Sequence, residues 1–201
     1  FSTGLEPEFD QVGEIEIDDE PFTAGGFGQV YHCKKINGKY LKVPHVVKIL
    51  IDNGAGSAEE GYNTITKLQK LLRDENIQLL KKGTSLLKEY SALKGFPQFS
   101  FTGKLGKKNV IGHSSNNLKS LGFFDYEEVH ANDELLDQYE DIDPEGKMLF
   151  CFHLVKAFDL LRQKYFLHAD FKPGALFVNY RTLECAIIDY DSGAVIEHHG
   201  D

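Results

Sequence analysis

Two short segments near the end of the 201-residue chain constrain its fold more than any other feature. Each contains an aspartate, and we call them the two acidic segments. The first is His168-Ala169-Asp170-Phe171-Lys172-Pro173, and the second is the apolar run Cys185-Ala186-Ile187-Ile188, which ends in Asp189. The apolar run predicts a buried strand, whereas the polar residues and the proline predict a loop. A loop and a strand that lie side by side would bring the carboxylates of Asp170 and Asp189 to one cleft.

A glycine-rich segment, Thr23-Ala24-Gly25-Gly26-Phe27-Gly28-Gln29-Val30, lies in the amino-terminal half. Glycine has no Cβ, so the backbone can approach phosphate oxygens closely and direct N–H groups at them. A hairpin turn explains the same glycines equally well, and both interpretations remain open at this point.

The next run, Val46-Val47-Lys48-Ile49-Leu50, is rich in residues that favour strands and contains one cation. Its apolar neighbours predict that Lys48 lies on a partly buried strand. Lys42 is the competing candidate, but its surroundings predict a more exposed position. A lysine within a strand otherwise lies on a solvated face.

These segments, taken in their order along the chain, resemble the motifs of the protein kinase superfamily over roughly residues 20 to 195. The resemblance implies an α+β, two-lobed protein kinase-like fold, with a five-stranded antiparallel sheet in the N-lobe and a helical, truncated C-lobe. The predicted divisions are an acidic leader or first edge strand at 1–20, the N-lobe at 21–129 and a partial C-lobe at 130–201.

The resemblance also implies a role for each motif residue in phosphoryl transfer from ATP. Asp170 would orient the attacking hydroxyl, Lys172 would reach the γ-phosphate, and Lys48 would bind the α- and β-phosphates. Asp189 would hold Mg²⁺, and Asp191 is a second candidate metal ligand. The remaining candidates for the nucleotide-binding loop are Gly25, Gly26, Phe27, Gly28 and Val30.

The acidic partner of Lys48 is expected on a helix that follows its strand. Glu89 is preferred, because the Gly95-Phe96-Pro97 turn and the strand-like Gln98–Phe101 run follow it. Glu59 and Glu60 are the alternatives, and a surface glutamate on an amphipathic helix is the plain explanation.

The segment Leu121–Val129 resembles the strand that leads into the kinase hinge. In that case, backbone groups near Glu127 and Val129 would form hydrogen bonds with the edge of the adenine ring. A plain core strand explains the segment equally well.

Three departures from the kinase pattern bear on activity. Ala175 occupies the position of an asparagine that ligates a second Mg²⁺, and Asn179 is poorly placed to replace it. Asp189-Tyr190-Asp191 replaces the usual Asp-Phe-Gly. Ala169 replaces an arginine that binds a phosphorylated activation loop, so activation by loop phosphorylation is not expected.

Helical patterns are predicted for residues 58 to 93, with breaks at Gly61 and Gly83, and for Asp133–Tyr139. Another helix is predicted from Pro144 to about Lys164. The chain ends at Asp201, so either the sequence is cut short or the C-lobe is minimal and resembles the truncated kinases that some bacterial pathogens deliver as effectors.

Composition limits the classes of partner. The formal net charge of −9 argues against nucleic acid as the main partner. Three cysteines without paired spacing favour a reducing compartment, so a cytoplasmic location is expected, or a host cytoplasm for an effector. The longest apolar stretch, Met148–Val155, is too short to span a bilayer, and no membrane association is expected within this chain.

Three functions remain open. The preferred one is an ATP- and Mg²⁺-dependent Ser/Thr protein kinase, whose partners are ATP and a protein substrate. The second is a pseudokinase that binds nucleotide or a protein partner without useful turnover, motivated by Ala175 and Asp191. The third is a kinase-like small-molecule phosphotransferase, against which Lys172-Pro173 weighs.

Overall fold

The computed structural model describes residues 14–25, 28–51, 57–82, 92–97, 99–105 and 110–196. The chain is α+β and divides into two compact units. Unit 1 contains residues 1–70 and 98–117, and unit 2 contains residues 71–97 and 118–201. The chain thus leaves unit 1 for the last time between Asn117 and Leu118.

Unit 1 contains an antiparallel sheet to which six described strands contribute. They are β1 (Ile15–Ile17), β2 (Thr23–Gly25), β3 (Gly28–Ile36), β4 (Lys39–Leu50), β5 (Phe99–Leu105) and β6 (Val110–Asn116). The order across the sheet is β1, β3, β4, β6, β5, and β2 also pairs with β3. The antiparallel sheet agrees with the predicted architecture of the amino-terminal part.

The hairpin between β3 and β4 turns at Asn37-Gly38, where both residues have positive φ, 51° and 73°. Asn-Gly is the preferred pair for such a turn, because both central residues must adopt this conformation. The buried face of the sheet carries Cys33, Ile36 and Val47. Because these residues come from two paired strands, the hairpin forms the centre of the core of unit 1.

Strand β1 lies within the segment that the sequence predicts as a leader or a first edge strand. Ile15 and Ile17 pack against the core of unit 1. Glu16 forms an ion pair with Lys35 at 2.7 Å, and Asp18 pairs with Lys34 at 2.9 Å. The end of this acidic segment is therefore part of the sheet.

The first helix, α1 (Ser57–Lys82), continues without interruption through Gly61. The predicted break at Gly61 is wrong. Glycine costs only about 1 kcal/mol relative to alanine inside a helix, and the buried Gly61 is accommodated within α1. Ile65, Leu68 and Leu72 are buried. Residues 83–91, including Gly83, lie outside the described part.

Unit 2 contains the remaining helices and five short strands of the described residues. The helices are α2 (Tyr126–Ala131), α3 (Asp133–Glu140) and α4 (Pro144–Gln163). The strands are β7 (Phe124–Asp125), β8 (Phe166–Leu167), β9 (Leu176–Asn179), β10 (Glu184–Ile187) and β11 (Ala194–Val195). Strands β10, β9 and β7 form one antiparallel sheet, and β11 pairs with β8 in another.

Helix α4 begins as the sequence predicts. The Asp143 carboxylate accepts a hydrogen bond from the backbone N–H of Gly146 at 2.7 Å, and Pro144 occupies the first turn. Phe150 of this helix packs with Val129, Val178 and Cys185 in the main core of unit 2. The helix thereby supports the β9–β10 hairpin, which carries the second acidic segment.

The predicted strand Leu121–Val129 is wrong for most of its length. Gly122 has φ of 86° and ends a 3₁₀ turn, and the chain is extended only over β7 before α2 begins. Asp125 caps α2, because its carboxylate accepts a hydrogen bond from the N–H of Glu127 at 2.8 Å. An aspartate followed three residues later by Glu128 is a helix-start pattern, and it outweighs the strand preference of the aromatic residues before it.

Candidate functional site

In unit 1, the glycine-rich segment forms the hairpin between β2 and β3, and Lys48 lies on the neighbouring strand. Gly25 pairs with Gly28, and Val30 pairs with Lys48. A Cβ built at Gly28 would lie 2.7 Å from the carbonyl oxygen of Ile49 and 3.2 Å from Cε of Lys48. Glycine is therefore required at 28, and the Lys48 side chain runs beside the glycine hairpin.

The two candidate lysines differ in exposure. Lys48 is half-buried, whereas Lys42 is exposed on the same strand. Gly25 has open space where a Cβ would lie, so its steric requirement is weaker than that of Gly28. Gly26 and Phe27 lie outside the described residues.

The predicted acidic partner of Lys48, Glu89, also lies outside the described part of the chain. The alternatives Glu59 and Glu60 are exposed in the first turn of α1. At that position, they complement the positive end of the helix dipole.

In unit 2, a buried histidine links the two acidic segments. His168 follows β8 and is 4% exposed. Its Nε2 lies 2.8 Å from the carbonyl oxygen of Ile188, and because a carbonyl only accepts, Nε2 carries the proton and donates it. The N–H of Ile188 in turn donates to the carbonyl oxygen of Ala175 at 2.9 Å. The loop that contains Asp170 is thus fastened at two points to the residue before Asp189.

Asp170 lies in this loop with a cation beside it. Nζ of Lys172 lies 3.0 Å from Oδ2 of Asp170. The N–H of Asp170 donates to the carbonyl oxygen of His168, and Ala169 between them has φ of 67°. A non-glycine residue in this conformation costs about 1 kcal/mol or more. The surrounding hydrogen bonds compensate for that cost and define the direction of the Asp170 side chain.

Asp189 and Asp191 flank a buried aromatic residue. Asp189 has φ of 61°, and the 3₁₀ turn Tyr190–Ser192 follows it. Tyr190 is 1% exposed, and its ring centroid lies 4.7 Å from that of His168 and 5.6 Å from that of Phe96. Burial raises the pKa of the Tyr190 phenol well above its usual range. Tyr190 therefore stays neutral and anchors the segment between the two half-buried aspartates.

The donor chemistry of this segment suits Mg²⁺ bound together with nucleotide phosphates. No group of three or more His, Cys, Asp or Glu side chains that could hold a metal ion is present in the described part of the chain. Mg²⁺ in nucleotide sites is typically held by one or two carboxylates together with phosphate oxygens and water. Asp189 and Asp191 supply two carboxylates on one short, anchored segment, so they fit that mode of binding.

Ala175 and Asn179 have structural roles in this protein. They are the residues compared above with the kinase asparagine that ligates a second Mg²⁺. Ala175 is 0% exposed, and its backbone bonds Lys172 and Ile188. Asn179 is 3% exposed, and its side-chain oxygen accepts hydrogen bonds from the N–H groups of Arg181 and Thr182. The Asn179 amide is thus committed to the turn between β9 and β10.

The strand predicted at Glu127 and Val129 is wrong, and their contacts with adenine stay predictions. Both residues lie in α2, where Val129 is 0% exposed and its carbonyl oxygen accepts from Asn132. A helical backbone does not present an extended edge for adenine. The Glu127 carboxylate instead packs against the loop of Asp170, since a Cβ built at Gly174 would lie 2.7 Å from Oε2 of Glu127. The helix-start pattern at Asp125 could have indicated from the sequence that Glu127 and Val129 lie in a helix.

No model of a known protein family matches this chain, and comparison with curated proteins gives no match. Within the described residues, every helix is too short or too polar to cross a membrane.

Proposed function

We propose that this protein binds Mg·ATP and transfers the γ-phosphoryl group to serine or threonine hydroxyls of a protein substrate. The observation that carries the proposal is the hydrogen bond between His168 and Ile188. It joins the side chain of His168, two residues before Asp170, to the backbone of Ile188, the residue before Asp189. Phosphoryl transfer needs one carboxylate at the nucleophile and one at the metal, held in a fixed relationship.

In the proposed reaction, Asp170 accepts a hydrogen bond from the substrate hydroxyl and orients it towards the γ-phosphorus. An oxygen–phosphorus bond forms to the hydroxyl oxygen, the bond from the γ-phosphorus to the β,γ-bridging oxygen breaks, and the hydroxyl proton passes to the Asp170 carboxylate. Lys172, whose Nζ lies 3.0 Å from Oδ2 of Asp170, would donate to the γ-phosphate. ADP leaves with the electron pair of the broken bond.

Unit 1 also carries residues whose chemistry suits phosphate binding. The backbone of the glycine hairpin is accessible at the exposed Gly25, and the Lys48 ammonium can donate charge-assisted hydrogen bonds to phosphate oxygens. Asp189 and Asp191 would hold Mg²⁺, which when bound neutralises charge on the phosphates. Each role uses a residue whose chemistry matches the negative charge of the triphosphate or of its metal.

The test uses isothermal titration of ATP with and without Mg²⁺, combined with transfer of labelled phosphate to serine- and threonine-containing peptides. Asp170→Asn should abolish most transfer while ATP affinity changes little, because Asp170 acts on the hydroxyl. Asp189→Asn should weaken the Mg²⁺-dependent part of ATP binding itself. A parent protein that does not bind ATP at all would contradict the proposal.

The buried Ala175 favours a second candidate function, a nucleotide-binding protein without useful turnover. Its methyl group supplies no metal ligand, and the only nearby amide along this strand, Asn179, is used in a turn. Tight binding of Mg·ATP without transfer in the parent protein would support this candidate. Ala175→Asn would then restore transfer only if the structure accommodates an amide at a fully buried position, so thermal unfolding of this variant must be measured as well.

A further inference from the structure

Unit 2 exposes seven large apolar side chains on α4 and beside its carboxyl-terminal end. Each is between 41% and 70% exposed. We call this set the α4 face; its members are Met148, Phe152, Val155, Tyr165, Leu167, Phe171 and Ile196. Isolated exposed apolar residues are normal on a protein surface, but a contiguous set of this size usually marks an interaction site.

One part of the α4 face is a helical ridge. Met148, Phe152 and Val155 are spaced by four and three residues, so they lie on one side of α4. Phe158 continues that side of the helix by three more residues. The helix therefore presents an apolar stripe that faces solvent for about three turns.

The other part is a groove of about 650 Å³. Phe158, Tyr165, Leu167 and Phe171 are among the residues that line it, together with Ile196. Phe158 and Phe171 are in edge-to-face contact, with ring centroids 4.9 Å apart. The N–H of Ile196 donates to the carbonyl oxygen of Tyr165 at 2.7 Å, which fastens one wall of the groove to another. Since Phe158 ends the ridge and lines the groove, ridge and groove adjoin on one surface.

Charges beside the groove neutralise each other. The Arg162 guanidinium donates to the Asp159 carboxylate through Nε at 3.1 Å and through Nη2 at 2.8 Å. This ion pair therefore adds no net charge beside the groove.

We propose that the α4 face binds the α4 face of a second copy of this chain. Because a ridge and a groove adjoin on one surface, a two-fold axis near Phe158 lets the ridge of each copy enter the groove of the other. A half-exposed large apolar side chain leaves on the order of 100 Å² in water. Seven of them approach the ~800 Å² that each partner buries in a standard-size interface. The proposal is independent of the chemistry proposed above.

Sedimentation equilibrium of the 201-residue chain tests the proposal. Between about 1 and 100 µM, the range of a moderately tight interface, the mass should rise from that of one chain to that of two chains and then stop. Val155→Asp and Leu167→Asp should each raise the dissociation constant at least tenfold. Both residues are more than half exposed, so the variants should fold, and circular dichroism checks this. The control is Tyr40→Ser in unit 1, 78% exposed, which should dimerise as the parent does.

Met148 provides an independent measurement, because it is the only methionine in the sequence. Peroxide should oxidise Met148 at least fivefold more slowly at high protein concentration than at low concentration, with mass spectrometry of the peptide as the readout. Val155→Asp should remove that protection. A parent mass that stays monomeric to 100 µM, or that rises beyond two chains, would overturn the proposal. An equal effect of Tyr40→Ser and Val155→Asp would also overturn it.

Discussion

His168 donates a hydrogen bond from Nε2 to the carbonyl oxygen of Ile188 over 2.8 Å, and its ring lies 4.7 Å from that of Tyr190. One buried side chain thus contacts both the backbone before Asp189 and the aromatic residue after it. The imidazole therefore fixes the segment that carries the proposed metal ligands relative to the loop of Asp170.

His168→Phe should retain the ring packing and lose the hydrogen bond. The carbonyl of Ile188 would lose its donor, so we expect the free energy of unfolding to fall by about 1–3 kcal/mol. Mg²⁺-dependent ATP binding should weaken as well. Urea unfolding and calorimetric titration measure the two effects. His130→Phe, at an exposed position on α2, is the control and should have neither effect. Unchanged stability of His168→Phe would show that the hydrogen bond contributes little.

Lys48→Ala should weaken ATP binding, whereas Lys42→Ala should not. A charge-assisted hydrogen bond to phosphate from a half-buried lysine is worth about 1.5–3 kcal/mol, or a change of about tenfold to hundredfold in affinity. The exposed Lys42 is a matched control on the same strand. Equal losses in both variants, measured by isothermal titration, would place the phosphate contact elsewhere.

Gly95→Ala should destabilise unit 2. An added Cβ would lie 2.5 Å from Cβ of Ala157 on α4, and overpacking of this kind typically costs about 1–3 kcal/mol. Gly103→Ala is the control, because nothing lies within 4 Å of its added Cβ. The measurement is chemical unfolding of both variants.

The double variant Gly95→Ala/Ala157→Gly checks the cause of that loss. Removal of the opposing methyl group should restore part of the stability, although glycine inside α4 costs about 1 kcal/mol. A double variant that is destabilised by the sum of the two single effects would show that the clash is not responsible.

Stability should decrease as the solution becomes mildly acidic, in part because of His153. Burial lowers the pKa of His153, and Lys94 acts in the same direction, while the carbonyl of Leu183 and the carboxylate of Glu184 oppose them. The unfolded chain binds a proton near pH 6.5, before the native state does. The contribution of His153 to the free energy of unfolding is therefore fully present above that pH. It is lost as the pH falls, until His153 in the native state also binds a proton.

His153→Gln should reduce the loss of stability between pH 7.5 and about 5 relative to the parent. Urea unfolding at several pH values measures this difference. His45 also has a pKa lowered by burial, so His45→Gln should remove a separate part of the dependence. The same pH dependence in His153→Gln and in the parent would exclude a contribution from His153.

Local chemistry made several elements predictable from the sequence. Asp143 and Pro144 define the start of α4, and Asn37-Gly38 defines a hairpin turn, because each acts through its own backbone. The errors arose where a local preference was ambiguous. Gly61 is tolerated inside α1 because a single glycine costs only about 1 kcal/mol there. The aromatic run before Asp125 favours a strand, although a helix begins there.

The residues of the candidate site stay predictions from the sequence, and their contacts could not be predicted from it. Asp170, Lys172 and Asp189 are recognisable from their spacing. The bond from His168 to Ile188 and the packing of Glu127 against Gly174 join positions far apart in the sequence. Such contacts depend on how β8, β10 and α2 pack, which residue spacing does not specify.

The two strands that pair with β4 are synthesised at different times. Strand β3 precedes this 12-residue strand directly, whereas β6 is not complete until residue 116 has been added. One edge of β4 therefore has no β6 partner while all of α1 is being translated. Unpaired edges template pairing between chains. Slow translation through residues 57–110 should thus favour aggregation of nascent chains, and chaperones that bind extended segments should suppress it.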